Sequence, residues 1–345
     1  MPRPRLLVAC AAIVVLAALA AGCGGSGDSG SSGSDVKVAL VTDIGGLNDR
    51  GFNALANGGL ERAEKDLGIQ GRVFISKSAS DYVPNLTSAA RDGYDLVIGV
   101  GFLMGDALST VAQQFPDTDF AIVDFPWAAL KDKPQNVRGL VFAEQEAGYL
   151  VGVIAATMAK DKVGKATHNT VCSMGGIPIP PVDHYIAGYQ DAVKTVSPST
   201  TILNGYSNDF VDQAKGKEVG LNHISKNCDI LFQVAGGSGL GYIAAAKDKG
   251  VYAIGVDADQ IDTAPGTVIT SALKRVNKAV YNTVQAVKDG KYKAGDNFFS
   301  AANDGIGYGK LDAAVPANVK AAADQALTDI KSGKIVPKDT VQVKG

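Results

Sequence analysis

The sequence predicts an α/β protein built from two similar lobes, each a parallel sheet covered on both faces by helices. Strand-like apolar runs alternate with helix-like runs from residue 36 onward, a pattern typical of parallel sheets. A strand, a glycine-rich turn, a helix and a strand ending in aspartate occur between Asp95 and Asp124 and again between Asp229 and Asp257. A chain of this length also divides more readily into two lobes than it fills one core.

A secretory leader is predicted at residues 1–22. Two arginines precede an apolar run over residues 6–21, and small residues lead into Cys23, as in a signal peptide and its cleavage site. A cysteine directly after Ala-Gly resembles the lipobox of bacterial lipoproteins, in which this cysteine carries the lipid. Leu19 stands four places before it, where three is usual. Residues 7–10 fit the local pattern better, but too few apolar residues precede them. A secreted protein with an unmodified Cys23 is the alternative.

Residues 23–35 are predicted to be a flexible tether, because they are almost wholly Gly and Ser. Leader, cysteine and tether together predict a domain held by a lipid on the extracytoplasmic face of a cell membrane. Loss of the leader leaves 31 Lys and Arg against 35 Asp and Glu, a net charge of −4, so no basic excess would attract nucleic acid. Cys172 and Cys228 either form a disulfide or are separate buried small side chains, and the sequence leaves both open.

The first lobe is predicted over residues 36–141. Its strands are expected at 36–41, 72–75, 95–100, 120–123 and 137–142, and its helices at 53–67, 83–92 and 104–114. The first strand runs into a turn that carries Asp43, and Phe52 stands where the first helix begins. Open α/β sheets bind ligands at this edge, so both side chains are expected at a ligand rim. The alternative is that Asp43 caps a helix and Phe52 packs in the core.

The second lobe is predicted over residues 142–258. Its strands are expected at 166–172, 201–205, 229–234 and 251–256, and its helices at 144–159, 184–196, 212–227 and 240–248. The chain beyond is expected to complete the first lobe with about 260–290, including a helix over 271–288. Residues 291–345 are expected to complete the second lobe, with a final helix over 317–332 on either lobe. Two such lobes, with acidic residues at facing strand ends, predict a hinged clamp that closes on a small molecule.

Six motifs in this order carry a resemblance to a known family. They are LVTDIGGLND at 40–49 with GFN at 51–53, IGVGF at 98–102, AKGKE at 214–218, AGGSG at 235–239, GVDADQ at 255–260 and TSALKR at 270–275. Together they resemble the basic membrane protein family over residues 36–310. Its members are lipoproteins that serve as substrate-binding components of ABC importers, and the characterised ones bind purine nucleosides. The resemblance implies a type I periplasmic-binding-protein fold, a permease partner, a monomer and no cofactor.

The resemblance also implies a ligand site. The family sandwiches the base between two phenylalanines, which by motif are Phe52 and Phe210, and Asp43 would reach the base edge. Base stacking and hydroxyl-to-carboxylate hydrogen bonds suit a nucleoside, which has a flat ring and vicinal hydroxyls. The other side chains and turns implied are Asp124, Asp257 and Lys274 for base or ribose, and Gly101, Phe102, Gly237 and Ser238 for close backbone approach.

Each implied residue also has an ordinary structural interpretation. Phe210 alone would more often be a core anchor, Asp257 a turn residue and Lys274 a solvated helix cation. The chain departs from the family at 208–209, which reads Asn-Asp instead of Gly-Ser, and at His184, where Arg is common. These departures put the base preference in doubt but leave the class intact.

Two other functional classes are compatible with an α/β clamp of this kind. A nucleoside-processing enzyme is disfavoured because residues 45–47 replace the further carboxylates that a calcium site would need, and the three histidines form no evident triad. The glycine-rich run at 236–241 lacks the Lys of a P-loop. A receptor of the same fold for a pentose or a signalling molecule is the stronger alternative, since fold does not fix the ligand.

Overall fold

The computed structural model describes residues 36–344. The leader, Cys23 and the tether predicted for residues 1–35 lie outside the described residues. Within 36–344, none of the helices combines the length and the apolar character needed to cross a membrane.

The described residues form twelve strands. They are β1 (Lys37–Val41), β2 (Gln70–Phe74), β3 (Leu96–Val100), β4 (Asp119–Val123), β5 (Val137–Phe142), β6 (Thr170–Gly175), β7 (Thr201–Tyr206), β8 (Ile230–Val234), β9 (Tyr252–Asp257), β10 (Val268–Lys274), β11 (Gly295–Phe299) and β12 (Ile306–Tyr308). The central strands β3 and β8 are buried along their whole length, as expected for continuous apolar runs in parallel sheets.

Nine α-helices accompany these strands within residues 36–344. They are α1 (Phe52–Leu67), α2 (Tyr82–Arg91), α3 (Gly105–Gln114), α4 (Glu144–Lys160), α5 (Pro180–Val196), α6 (Gln213–Ser225), α7 (Gly236–Lys249), α8 (Val276–Lys288) and α9 (Ala317–Lys331). Helix α4 is apolar nearly all round and is buried accordingly, because it packs against both α5 and α9.

The strands form two six-stranded sheets, one in each lobe. The first has the order β11-β5-β4-β3-β1-β2 and is parallel throughout. The second has the order β12-β10-β9-β8-β6-β7, with only β12 antiparallel to its neighbour. The predicted α/β architecture of two similar lobes is confirmed.

The chain crosses between the lobes three times: after β5, after β10 and after β11. The prediction of one helix over 271–288 is wrong in its first part, because β10 continues to Lys274 and pairs with β9. The β-branched residues 268–270 begin strand β10, and helix α8 begins only at Val276. Strand β10 therefore belongs to the second lobe, whereas α8 packs on α1 and β11 completes the first sheet. The first lobe, expected to be completed by about 260–290, is completed by α8 and β11. The second lobe, expected to be completed by 291–345, includes β10 and β12.

The second lobe carries a disulfide between adjacent strands. Cys172 lies in β6 and Cys228 just before β8, with an S–S distance of 2.02 Å and a Cα–Cα distance of 6.1 Å. Both residues are buried. The structure thus selects the bonded one of the two states that the sequence left open.

Candidate functional site

The site is a cavity between the two sheets, at the carboxyl ends of their central strands. Its empty space, which includes open solvent at the mouth, is about 640 Å³. Nine of the ten predicted ligand residues line it: Asp43, Phe52, Gly101, Phe102, Asp124, Phe210, Gly237, Asp257 and Lys274. The structure therefore brings together side chains from both lobes, although their contacts with a ligand stay a prediction.

Ser238, the tenth predicted residue, does not line the cavity. It is fully buried, and its hydroxyl bonds to the backbone carbonyls of Asp209 and Ala235 and to the Ser207 hydroxyl. The Ser238 N–H donates to the carbonyl of Phe210 at 3.3 Å. Ser238 thus holds the loop that presents Phe210, whereas the two half-buried glycines before it, at the start of α7, line the cavity.

The two phenylalanines enter the cavity from opposite lobes. Phe52 is the first residue of α1 in the first lobe, and Phe210 stands in the loop between β7 and α6 in the second. Both are partly buried and pack against the hydrophobic core, so each has a face in the core and a face toward the cavity. Neither of the two is a fully buried core anchor.

Lys274, at the end of β10, is the central charge of the site. Its Nζ lies 2.6 Å from Oδ2 of Asp124 in the first lobe and 2.9 Å from Oε1 of Glu144. It is only 2% exposed, and Nζ lies 5.2 Å from the ring centre of Phe52 and 5.0 Å from that of Phe142. The interpretation of Lys274 as a solvated helix cation is wrong, since it is a buried strand residue that bridges the lobes.

Burial and neighbouring charges shift the pKa values of this cluster. Burial raises the pKa of Asp124 to about 7, although Lys274 opposes the shift, and raises that of Asp257 to about 6. Burial would lower the pKa of Lys274, but Asp124, Glu144 and Asp257 outweigh it and keep the ammonium charged. For Glu144, Lys274 and His184 outweigh burial and lower the pKa. The cluster thus holds more carboxyls than cations, and burial raises the pKa of both Asp124 and Asp257.

Asp124 and Asp257 occupy equivalent points of the two lobes. Asp124 directly follows β4 and Asp257 ends β9, and both have left-handed backbones, with φ of 70° and 61°. Among the described residues, Oδ1 of buried Asp124 has no hydrogen-bond partner. Oδ1 of Asp257 accepts from the Tyr185 hydroxyl at 3.0 Å. The cavity therefore offers at least one carboxylate oxygen that can accept a hydrogen bond from a ligand.

Asp43, which follows β1 in the first lobe, is held by a small network. Oδ1 accepts from the Tyr82 hydroxyl and from the N–H of Ile44 at 2.7 Å, and the N–H of Asp43 donates to Asn53 at 2.9 Å. Burial raises the pKa of Asp43. A Cβ at Gly101, where φ is 112°, would lie 2.2 Å from Oδ2 of Asp43, so only glycine permits this approach. Asp43 is thus fixed in place and does not cap α1.

Sequence reasoning missed several residues that build the site. Asp49 and Tyr185 line the cavity, while Glu144 and Tyr82 orient Lys274 and Asp43. Asp49 lies within a motif that was recognised, but Glu144 resembles any acidic residue in the first turn of a helix. Within residues 36–344, His, Cys, Asp and Glu side chains form no group of three or more that could hold a metal ion.

Comparison with known proteins places this architecture in a family. The family model described as ABC transporter substrate-binding protein PnrA-like, or Bmp, matches residues 36–340. The chain belongs to the Bmp family. It is 35% identical over 324 residues to the ABC transporter nucleoside-binding protein BmpA of Lactococcus lactis, covering 87% of this chain and 88% of the relative. It is 34% identical over 319 residues to an uncharacterized lipoprotein of Pyrococcus furiosus, covering 89% and 77%.

Solved structures agree with the Bmp assignment. An ABC transporter solute-binding protein from Aeropyrum pernix superposes with a TM-score of 0.80 at 27% identity, covering 87% of this chain and 92% of that one. A glucose-galactose binding protein from Geobacillus stearothermophilus, at 17% identity and a TM-score of 0.56, shares the fold alone, covering 76% and 95%. This Bmp protein is therefore a substrate-binding protein of an ABC transporter and not an enzyme. Its role implies a small-molecule ligand and a membrane permease.

Proposed function

We propose that this Bmp protein captures purine nucleosides outside the cytoplasm and delivers them to the permease of an ABC importer. A lipid on Cys23 holds it at the membrane through the tether of residues 23–35, and it acts as a monomer. The observation that carries the proposal is the pair Phe52 and Phe210, which enter one cavity from opposite lobes beside the carboxylates of the site.

The chemistry of the cavity suits a nucleoside. Aromatic stacking of a base is worth about 1–3 kcal/mol per ring and depends little on which base is stacked. Asp124 and Asp257 can accept hydrogen bonds from ribose hydroxyls, and Asp43 can reach the base edge. The name of the Lactococcus lactis relative, a nucleoside-binding protein at 35% identity, supports the same ligand class.

Capture follows from the placement of the groups on two lobes. A ligand between Phe52 and Phe210, with Asp124 and Asp257 at its hydroxyls, contacts both lobes only when they are closed. Its differential affinity then favours the closed form, which is the form offered to the permease.

Isothermal calorimetry tests the proposal. The protein is stripped of copurified ligand by unfolding and refolding with its disulfide intact, then titrated with inosine, guanosine, adenosine, cytidine and ribose. We expect purine nucleosides to bind with micromolar or tighter Kd, about −8 kcal/mol or better, and ribose to remain silent. Silence for every nucleoside, or binding of ribose alone, would overturn the proposal in favour of the same clamp with another ligand.

A substitution pair examines the aromatic sandwich directly. Phe210→Ala should weaken inosine binding by about ten-fold or more, because one stacking ring is lost. Phe298→Ala is the matched control, since Phe298 is 53% exposed and lies outside the cavity lining. Unchanged inosine affinity in Phe210→Ala would exclude the sandwich even if nucleosides bind.

A further inference from the structure

A buried amide joins the two lobes outside the cavity lining. Gln260 lies between β9 and β10 in the second lobe and is 3% exposed. Its Nε2 donates to the backbone carbonyl of Arg50 in the first lobe at 3.2 Å. Arg50 stands two residues before Phe52, so this hydrogen bond holds the start of α1, which carries one of the cavity rings.

The partners of Gln260 leave its amide a single orientation. The N–H of Val256 donates to Oε1 at 3.2 Å, and a backbone N–H can only donate. The carbonyl of Arg50 can only accept, so the NH₂ group must face the first lobe. Gln233 adds a second hydrogen bond to Oε1 at 2.8 Å, and the N–H of Gln260 donates to Ser271 at 2.9 Å. The residue therefore anchors to the second lobe through Oε1 and its backbone, and reaches the first through Nε2.

The anchoring continues to the cavity wall. Gln233 is fully buried, and its Oε1 accepts from the N–H of Ala235 at 3.0 Å. Ala235 directly precedes Gly236 and Gly237, which begin α7 and line the cavity. A Cβ at Gly255 would lie 2.6 Å from Oε1 of Gln260, so a larger residue there would displace the amide. Hydrogen bonds thus connect Ala235, before the start of α7 in the second lobe, through Gln233 and Gln260 to Arg50, before the start of α1 in the first lobe.

We propose that Gln260 is a positioning residue for closure, whose bond to Arg50 forms only when the lobes close and prolongs the lifetime of the bound ligand. The proposal deepens the nucleoside-binding function proposed above and relies on it for the choice of ligand. Gln260 does not touch the ligand in this scheme, because it lies outside the cavity lining. It acts by holding Phe52 against the second lobe, so its loss should appear in dissociation more than in association.

Gln260→Glu separates this role from an ordinary role within the second lobe. The carboxylate keeps an acceptor for Val256 and Gln233 but places a second acceptor opposite the Arg50 carbonyl. A protonated carboxyl group has one acceptor and one O–H donor, so it restores the pattern of the amide. Gln135→Glu is the matched control, since its amide also donates to a backbone carbonyl, that of Lys133 at 2.9 Å, but within the first lobe and at the surface.

Stopped-flow dissociation of inosine measures the effect. At pH 8 we expect Gln260→Glu to release inosine about ten-fold faster than the wild type, with association changed less than three-fold and Gln135→Glu unchanged. The ratio of variant to wild-type rates should fall toward one at pH 5, because the buried carboxyl becomes protonated. The ratio cancels the titration of the neighbouring acidic residues, which both proteins keep: Asp257, Asp259 and Asp262 in the second lobe and Asp49 in the first.

Small-angle scattering provides a readout that needs no nucleoside. If Gln260 stabilises closure, the radius of gyration of ligand-free Gln260→Glu should exceed that of the wild type at pH 8 and match it at pH 5. A wild type that fails to bind inosine overturns the proposed ligand, and scattering still decides the role of Gln260. The role of Gln260 would be overturned if Gln260→Glu and the wild type had equal radii of gyration at both pH values and, where inosine binds, released it at equal rates.

Discussion

The two lobes place an aspartate at the same point of the fold and then surround it differently. Asp124 and Asp257 share left-handed backbones at the ends of β4 and β9. Asp124 pairs with Lys274 across the lobe boundary, whereas Asp257 accepts from Tyr185 within its own lobe. The duplicated backbone thus sets the position of the carboxylate. The neighbouring side chains, which differ between the lobes, set its hydrogen bonds and its pKa.

Removal of the Lys274 ammonium should have the largest effect on the free energy of unfolding. Lys274→Met leaves Asp124 and Glu144 buried without their ammonium partner, and breaking a buried pair in this way costs about 3–5 kcal/mol of unfolding free energy. Urea unfolding measures the loss. Lys278→Met is the control, because this ammonium lies at the surface and bonds to the carbonyl of Asn303.

Double variants then separate the two aspartates. Adding Asp124→Asn to Lys274→Met should restore more stability than adding Asp257→Asn, since Asp124 is the one of these two aspartates that contacts the ammonium directly. Equal recovery in the two double variants would show that the lobes surround their aspartates alike, contrary to the structure.

The disulfide provides a second difference between the lobes and the next largest effect. The bond between Cys172 and Cys228 closes a loop with a sequence separation of 56 residues, and replacing both with Ala should cost about 2–4 kcal/mol. Hydrogen exchange should accelerate first in β6 and β8, while β1 and β3 of the first lobe serve as the internal control. Equal acceleration in both sheets would mean that the lobes unfold as one unit.

Titration is the smallest expected effect. Burial raises the pKa of Asp124 to about 7 and of Asp257 to about 6. These two carboxyl groups therefore bind more protons in the folded protein than in the unfolded chain between about pH 4 and 7, and the stability that they contribute falls as pH rises through that window. A ligand hydroxyl prefers the ionised carboxylate, so inosine binding should release protons and tighten from pH 5 to 8, by at most about ten-fold per unit for each proton.

Calorimetry in buffers of different ionisation enthalpy counts the released protons. Asp124→Asn should remove the part of the pH dependence near pH 7, and Asp257→Asn the part near pH 6. An affinity that is constant from pH 5 to 8 in the wild type would show that neither carboxyl changes its charge on binding.

Most of the fold could be predicted because buried parallel strands have continuous apolar sequences. β5 was predicted at its observed bounds, and α4 differs by one residue. The strand β10 was missed because Ser271 to Lys274 has no apolar alternation, and its place in the sheet depends on pairing with β9. Tertiary pairing overrides local propensity at such a segment.

The site was predictable where motifs mark strand ends, and much less so in its supporting residues. Asp124 and Asp257 stand out because each follows an apolar strand. Glu144 and Tyr185 reach the cluster through the packing of α4 and α5, which no local spacing in the sequence reveals. Ser238 was misplaced by one helical position, since it follows the lining glycines but faces the interior.

The three crossings between the lobes have a consequence for biosynthesis. The first sheet lacks its edge strand until β11 emerges, and the second until β12 follows a few residues later. Neither sheet can therefore be completed on the ribosome before about nine-tenths of the chain has been made, and a truncated product ending before Gly295 would expose the β5 edge to other strands. For the same reason, neither lobe can be cut from the chain as one contiguous piece with its sheet intact.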